Sequence, residues 1–255
     1  MAQAVLKAEN LGITFGGLKA VEGFALEMFH GELVGLIGPN GAGKTTIFNL
    51  LTGVYKPTEG MVYIDGKPMV NKKPHEMVKE GIARTFQNIR LFKELTVLDN
   101  VKVAFNQHMK YSIASAMLRG PGYWREEAEI DRKAREILAV LHMEDMADVV
   151  ACNMPYGRQR KLEIARAIAT GAKILLLDEP AAGMNPTETA ELMEAITIIR
   201  DKFDTSILLI EHDMSLVMSI CERIVVIDYG QIIATGTPFE VANNPRVVEA
   251  YLGAD

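Results

Sequence analysis

Hydrophobic and polar positions in roughly the first 90 residues follow the two-residue period of β-strands. Phe24, Leu26 and Met28 occupy alternate positions and therefore share one face of a predicted strand. The uninterrupted apolar run at 33–37 predicts a buried strand. The other strands predicted here span 7–15, 61–64 before a turn at Asp65-Gly66, and 82–86 ending at Gln87.

The period becomes helical between about residues 95 and 169. One apolar stripe lies opposite a charged face of a predicted helix and consists of Ile130, Ala134, Ile137, Leu138 and Leu141. Residues 107–124 mix methionine, aromatic and Gly-Pro-Gly positions, which favours a partly packed loop over an exposed docking face. We therefore predict an α-helical subdomain at 91–159, inserted into a nucleotide-binding α/β core formed by 1–90 and 160–255.

Strands and helices alternate again in the last third of the chain. The apolar run at 174–177 predicts a buried strand, and a helix is predicted from Pro186 to about Lys202. The later predicted elements are strands at 206–210 and 224–227, a short helix after Asp213, and two short helices ending near Leu252. The sequence thus predicts one α/β domain over residues 1–255, with an antiparallel β subdomain at its start.

Composition and charge narrow the classes of function. A chain of 255 residues with 49% hydrophobic and 24% charged residues is ordinary for a globular protein. The net charge of −6 argues against a nucleic-acid partner. No apolar run approaches the roughly 20 residues of a membrane-spanning helix, and residues 1–10 lack a signal pattern, so we expect a cytosolic protein. Cys152 and Cys221 lack metal-ligand spacing and are expected to be reduced and packed.

The sequence G-x-x-x-x-G-K-T at 38–45 follows the predicted strand 33–37 directly. Its glycines allow backbone N–H groups to surround a polyphosphate, and a helix that begins near Gly43 adds the positive end of its dipole. Lys44 would contact the β and γ phosphates, and Thr45 would offer a hydroxyl to Mg²⁺. A glycine-rich turn before an ordinary helix would explain neither the Lys-Thr pair nor its position after a strand.

Further polar residues follow other predicted strands, at the edge of a parallel sheet where ligands bind. Asp178 is placed to hold Mg²⁺, and Glu179 to polarise a water for attack on the γ-phosphate. His212 could hydrogen-bond that phosphate, and the amide oxygen of Gln87 could approach the metal and the water. Taken alone, Asp178 and Glu179 could be a solvated strand end, His212 a surface or core residue, and Gln87 an exposed glutamine.

The order of these motifs resembles the ATP-binding cassette (ABC) ATPases over essentially the whole chain, with a P-loop, RecA-like core. Within that family the chain is most similar to the larger ATPase subunit of branched-chain amino acid importers. The segments that carry this resemblance are 15–18, 84–87, 156–157, 162–166 and 179–186.

The resemblance implies Mg²⁺-dependent hydrolysis of ATP at a site completed by a second cassette. Phe15 would stack on adenine, although a core aromatic remains the alternative for this residue. The implied partners are a second ATPase in a heterodimer, two membrane permease subunits and, indirectly, an external binding protein, at the cytoplasmic face of the inner membrane. The predicted ATP contacts are Phe15, Gly38, Pro39, Asn40, Gly41, Ala42, Gly43, Lys44, Thr45, Thr46, Tyr156, Gly157 and Arg158; the predicted metal ligands are Thr45, Gln87 and Asp178; the predicted catalytic residues are Lys44, Gln87, Glu179 and His212.

The signature segment departs from the family pattern Leu-Ser-Gly-Gly-Gln. This chain has Met154-Pro155-Tyr156-Gly157-Arg158 there, and it retains only the second glycine. The serine hydroxyl is lost, while the helix N-terminus still offers backbone donors and Arg158 offers a charge. Asn185 also stands where many cassettes carry aspartate. Both departures affect the surface that this chain offers to its partner.

Three other functions remain open at this stage. A cassette of another transport system, such as lipopolysaccharide export or urea uptake, would differ in its membrane subunits. A soluble cassette protein acting on ribosomes or DNA usually carries two cassettes or a long coiled coil, and this chain has one phosphate loop and no sustained heptads. A small-molecule kinase would transfer the phosphate to a metabolite, which the position of Glu179 argues against.

Overall fold

The computed structural model describes residues 3–108 and 119–252, and these residues form two compact units. Among the described residues, the first unit draws on 3–87, 173–182 and 199–252, and the second on 88–108, 119–172 and 183–198. The predicted helical insertion at 91–159 falls within the second unit, and its assignment as a separate subdomain stays a prediction.

The strands all belong to the first unit. Numbered along the chain they are β1 Leu6–Phe15, β2 Leu18–Met28, β3 Leu33–Ile37, β4 Glu59–Ile64, β5 Lys67–Pro68, β6 Ile82–Arg84, β7 Ile174–Asp178, β8 Ser206–Ile210, β9 Arg223–Asp228 and β10 Gln231–Gly236.

Four of these strands form an antiparallel sheet in the order β2-β1-β4-β5. Phe24, Leu26 and Met28 are buried, as the alternation in the sequence predicts. The turn between β4 and β5 is also as predicted, because Asp65 and Gly66 both have positive φ, at 48° and 75°.

The other six strands form a sheet in the order β10-β9-β3-β8-β7-β6, parallel except for the antiparallel pair β9–β10. Every residue of β3, β7 and β8 is buried, as expected for central strands covered on both faces. Side chains from both sheets, among them Phe24 of β2 and Leu36 of β3, join one hydrophobic core. The carboxyl ends of the parallel strands therefore meet at one firmly supported edge.

The helices are numbered in the same way. They are α1 Lys44–Leu51, α2 Pro74–Lys79, α3 Val97–Ala104, α4 Pro121–Val140, α5 Tyr156–Ala169, α6 Pro186–Phe203, α7 Met214–Ile220, α8 Pro238–Ala242 and α9 Pro245–Leu252. Within the second unit α3, α4 and α5 pack together, and all five residues of the predicted apolar stripe are buried. Asn100, fully buried, donates to the carbonyls of Phe92 and Thr96 and so fixes the start of α3.

Four details of the prediction are wrong. Strand β6 ends at Arg84 rather than Phe86, because the N–H of Asp178 donates to the Thr85 hydroxyl (3.4 Å) instead of to a main-chain carbonyl. Strand β10 was not predicted. Helix α4 begins at Pro121, inside the predicted loop 107–124, of which residues 109–118 lie outside the described part of the chain. Cys152 is exposed, and only Cys221 is packed.

Burial raises the pKa of the Cys221 thiol to about 12, which keeps it protonated and inert at neutral pH. Among the helices of residues 3–108 and 119–252, none is long and apolar enough to cross a membrane.

Candidate active site

Three loops that carry predicted site residues of the first unit follow β3, β7 and β8. The phosphate loop at 38–43 follows β3, Glu179 follows β7, and His212 follows β8. Because these strands are parallel neighbours, their carboxyl ends bring the three loops to the same edge of the sheet.

The phosphate loop depends on its glycines. A Cβ on Gly38 would lie 2.1 Å from the carbonyl oxygen of Ile227, so no side chain fits there. Gly43, with φ of 104°, is the N-cap of α1, and no side chain caps that helix. Thr45 is exposed and Thr46 half-buried in the first turn of α1, which contains no acidic residue. This helix start suits an anion.

Lys44 is folded back onto the loop. Its Nζ donates to the carbonyl oxygens of Gly38 (2.5 Å) and Pro39 (2.9 Å), and the residue is only 6% exposed. Burial lowers the pKa of Lys44, while the charges of Glu179 and Asp178 oppose that shift. The ammonium group is thus held close to two carboxylates in a partly desolvated position.

Glu179, Gln87 and His212 form one hydrogen-bonded group. The Oε1 atom of Glu179 lies 2.5 Å from Nε2 of His212, and its Oε2 atom accepts from Nε2 of Gln87 at 3.1 Å. Glu179 has φ of +48°, a conformation that non-glycine residues rarely adopt. Its N–H donates to the carbonyl of Ile210 (2.9 Å), which stabilises this conformation. Strained backbone of this kind is common at active sites.

Asp178 is buried and paired. Its Oδ2 atom accepts a hydrogen bond from Nη2 of Arg84 at 2.7 Å, and the exposed fractions of the two side chains are 5% and 7%. Arg84 belongs to the segment 84–87 that carried the family resemblance, but sequence reasoning assigned it no role. The signal was an arginine within the predicted strand 82–86, which leads to the candidate site residue Gln87.

Glu211 is a second residue that sequence reasoning missed. Its carboxylate accepts from the N–H groups of Ala181 (2.8 Å) and His212 (3.2 Å), and the residue is 5% exposed. Burial raises the pKa of Glu211, and these two backbone donors partly offset the shift. Glu211 therefore connects the loop after Glu179 to the backbone of His212.

Phe15 lies at the end of β1 and is 45% exposed, so it is not the core aromatic of the alternative interpretation. Its ring packs edge-on against Tyr55, with 5.3 Å between the ring centroids.

The signature residues are in the second unit. Tyr156 and Gly157 begin α5, and a Cβ on Gly157 would lie 3.0 Å from Oε1 of Glu188. Arg158 donates to the carbonyl of His142 at 2.8 Å, so part of its guanidinium is engaged within its own unit. Asn185 and Glu188 cap α6 reciprocally, each side chain accepting from the other's N–H at 2.9 and 3.1 Å.

These residues fit a magnesium nucleotide. The described residues contain no group of three or more His, Cys, Asp or Glu side chains able to hold a metal by themselves. Mg²⁺ commonly takes only one or two protein ligands and completes its shell with water and phosphate oxygens. A hydroxyl at Thr45 and a carboxylate at Asp178 are ligands of that kind.

Comparisons with known proteins all find similarity to ATP-binding cassettes of ABC transporters. The family model described as "ABC transporter" matches residues 21–182, and the one described as "Branched-chain amino acid ATP-binding cassette transporter" matches residues 231–255. The chain is 47% identical over 253 residues to the high-affinity branched-chain amino acid transport ATP-binding protein LivG of Escherichia coli K12, with 99% of each chain covered.

Two solved structures are also similar. One is described as the ADP conformation of an ATP-binding cassette of an ABC transporter; it shares 33% identity, has a TM-score of 0.84, and the match covers 99% of this chain and 100% of the other. The other is described as a dimeric bacterial ABC transporter cassette, with 25% identity, a TM-score of 0.76, and coverage of 91% and 98%.

Proposed function

We propose a transport function for this chain, which belongs to the ABC transporter family of ATP-hydrolysing cassettes. The family resemblance and the P-loop α/β fold predicted from the sequence are confirmed. The chain is therefore an ATPase, and the open questions concern which residues act and what the hydrolysis drives.

The proposed activity is to power the uptake of branched-chain amino acids through a separate permease. The single observation that carries this proposal is the similarity to LivG, which extends over 99% of both chains. The match of residues 231–255 to a branched-chain transporter model supports the same substrate class. A cassette of another transport system would be expected to share the nucleotide-binding core and to differ at such a C-terminal segment.

In the proposed mechanism Lys44 exchanges partners when ATP binds. Its contacts with the carbonyls of Gly38 and Pro39 would be replaced by contacts with the β and γ phosphates, which carry full negative charge. The uncapped start of α1 adds backbone donors from Gly43 onward. Phe15, exposed at the end of β1, is proposed to contact the adenine.

Glu179 is proposed to orient the attacking water, with His212 and Gln87 as its hydrogen-bonding partners. Both partners hold the carboxylate in one orientation, and its backbone is fixed by Ile210. The His212 side chain is 49% exposed, and we propose that it contacts a phosphate oxygen when the site closes. Magnesium held by Thr45 and Asp178 would supply charge neutralisation of the phosphates.

The proposed assembly consists of this chain, a second ATPase, two permease subunits and an external binding protein that selects the amino acid. The chain would lie at the cytoplasmic face of the inner membrane by contact with the permease. The dimeric cassette among the similar structures supports pairing of two ATPases. Tyr156, Gly157 and Arg158 are proposed to face the partner's nucleotide.

Reconstitution tests the function directly. The chain would be co-expressed with its genomic neighbours, purified as a membrane complex and placed in proteoliposomes. We expect binding protein loaded with leucine to stimulate phosphate release and leucine uptake, and we expect urea to have no effect. Export of lipid by the complex, or stimulation only by an amide such as urea, would contradict the proposed substrate class.

The variant Glu179→Gln supplies the internal control for that experiment. The amide keeps the shape but cannot polarise water, so hydrolysis should fall by roughly three orders of magnitude while ATP still binds. Phosphate release and nucleotide binding would be measured in the same preparation. Glu194→Gln, at an exposed carboxylate of α6, should retain most of the hydrolysis. An unchanged rate in Glu179→Gln would remove Glu179 from the mechanism.

A further inference from the structure

We propose that Arg84 is a positioning residue that fixes the orientation in which the Asp178 carboxylate serves magnesium. The inference rests on the metal-ligand role given to Asp178 under the proposed function, and it assigns a role to a residue outside the motif positions of the phosphate loop and the catalytic glutamate. It starts from the 2.7 Å hydrogen bond between Nη2 of Arg84 and Oδ2 of Asp178.

The guanidinium of Arg84 is held on several sides. Its Nη1 atom donates to Oδ1 of Asn49 at 2.6 Å, and Asn49 lies in α1, the helix that begins at Lys44. Its planar group lies 5.3 Å from the ring centroids of both Phe48 and Phe86. These two hydrogen bonds and two aromatic contacts restrict the guanidinium to one position. The Asp178 carboxylate, which it holds, is therefore restricted as well.

Arg84 also connects the parts of the site that must act together. Asn49 and Phe48 belong to the helix of the phosphate loop, Asp178 ends β7, and Phe86 precedes Gln87. A change in any of these segments reaches the Asp178 carboxylate through a single rigid group. Residues that hydrogen-bond a metal ligand in this way commonly set the affinity of the metal.

Stability alone does not account for this pair. A buried ion pair is often no better for stability than apolar side chains of the same volume, because both charges lose hydration. The Nε atom of Arg84 is buried and has no hydrogen-bond partner among the described residues, which adds a desolvation cost. The buried pair of Arg84 and Asp178 is therefore better explained by a role in positioning the metal ligand than by a role in stabilising the core.

Lysine would not replace Arg84. Its single ammonium group could reach Asp178 or Asn49, but it lacks the planar fork that binds both and stacks between two rings. The variant Arg84→Lys therefore keeps the charge near Asp178 and removes the fixed orientation. Asn49→Ala removes the anchor on Nη1 and leaves the ion pair itself intact, so it serves as a milder second variant that is expected to fold.

The test is a titration of the purified full chain with Mn²⁺ as the probe, in the presence of ADP, with free Mn²⁺ measured by electron paramagnetic resonance. We expect Arg84→Lys to weaken Mn²⁺ binding by roughly ten- to a hundredfold, and Asn49→Ala to weaken it less. Calorimetry with ADP in EDTA should show metal-free nucleotide binding within about twofold of the wild type, because the phosphate loop is unchanged.

Two further variants make the result specific. Arg223→Lys breaks a comparable fork on Glu32 (2.7 and 3.0 Å) at the start of β9, the opposite end of the strand from the site, and should leave Mn²⁺ binding unchanged. In an Asp178→Asn background, Arg84→Lys should add no further loss, since the ligand that it positions is already altered.

If Arg84→Lys and Asn49→Ala both bind Mn²⁺ as the wild type does while Asp178→Asn binds it more weakly, the positioning role of Arg84 is wrong. The assignment of Asp178 as a metal ligand would then still hold. Wild-type affinity in Asp178→Asn would overturn the ligand assignment and this inference with it. Tighter Mn²⁺ binding in Arg84→Lys would show that the orientation fixed by Arg84 opposes metal binding, which also contradicts the proposal. The experiment involves no permease or amino acid, so failure of the transport proposal would be seen separately in the proteoliposomes.

Discussion

Lys44 carries the most specific prediction at the level of single residues. Its ammonium group donates to two loop carbonyls, so ATP has to compete with these contacts. Lys44→Ala should still lose most of the nucleotide affinity, because charge-assisted hydrogen bonds to phosphate are worth about 1.5–3 kcal/mol each. Calorimetric titration with ATP measures the loss.

Lys19 provides the matched control for this experiment. It is an exposed lysine of the same unit, paired with Glu22 on the surface, and Lys19→Ala should bind ATP as the wild type does. Wild-type affinity in Lys44→Ala would contradict the assignment of 38–45 as the phosphate loop.

Glu211 makes a prediction about pH. Its folded-state pKa is raised above the ordinary 4.5 by burial, so above pH 4.5 the folded protein binds this proton more tightly than the unfolded chain does. The contribution of Glu211 to stability therefore falls as the pH rises from 4.5 through its folded pKa. Glu211→Gln cannot titrate and should show a smaller loss of stability across that range in urea unfolding. Glu27→Gln, on an exposed carboxylate, should keep the wild-type slope, and parallel curves for Glu211→Gln would refute the argument.

Some residues of the site could be predicted from the sequence, and others could not. Lys44, Asp178, Glu179 and His212 can be proposed from the sequence because each ends or follows a recognisable strand and carries chemistry that ATP hydrolysis needs. Arg84 and Glu211 act through Asp178, Ala181 and His212, and such indirect roles depend on contacts between segments 30 or 94 residues apart in the chain. No local pattern encodes those contacts.

At the level of elements, the start of α6 carries a prediction. Asn185 caps the helix, and its side chain accepts from the N–H of Glu188. Asn185→Ala should cost about 1 kcal/mol in the free energy of unfolding, whereas Asn185→Asp should cost little because aspartate caps equally well. Urea unfolding of both variants gives the comparison. Equal destabilisation by alanine and aspartate would show that the cap contributes nothing. The asparagine is thus compatible with the capping role of an aspartate at this position.

The two mispredicted elements, strand β10 and helix α4, have separate physical reasons. Strand β10 has only exposed and half-buried residues and no clear apolar face. It is joined to β9 through Tyr229-Gly230, both at positive φ. Its pairing with β9 therefore decides its structure more than its own pattern does. Helix α4 uses Pro121 in its first turn, where proline is tolerated, and so a residue that suggested a loop begins a helix. Strands β3, β7 and β8 were predicted correctly because burial on both faces leaves an uninterrupted apolar run.

At the level of the whole molecule, the two units differ in how closely they follow the family pattern. The first unit holds Lys44, Asp178, Glu179 and His212 intact, while the second holds the altered signature Met154-Pro155-Tyr156-Gly157-Arg158. In the second unit Gly157 faces the Glu188 carboxylate, and Arg158 donates to a carbonyl of its own unit. We therefore expect the nucleotide site of this chain to work better with the signature segment of a partner than with the signature segment of a second copy of this chain.

Hydrolysis should consequently rise when a partner ATPase with a regular signature is added. A homodimer would close both sites with the altered segment, whereas a heterodimer would close this chain's site with the partner's serine and glycines. The gain should be about 1.4–3.5 kcal/mol of transition-state stabilisation, the scale of an oxyanion-type donor, or roughly ten- to several-hundredfold in rate. Phosphate release would be followed while the partner, silenced by its own Glu→Gln change, is titrated against this chain. The variant with Pro155→Ser and Tyr156→Gly should accelerate the homodimer for the same reason. If neither addition of the partner nor these two substitutions raises the rate, the signature of this chain is as effective as a regular one, and the asymmetric pair is wrong.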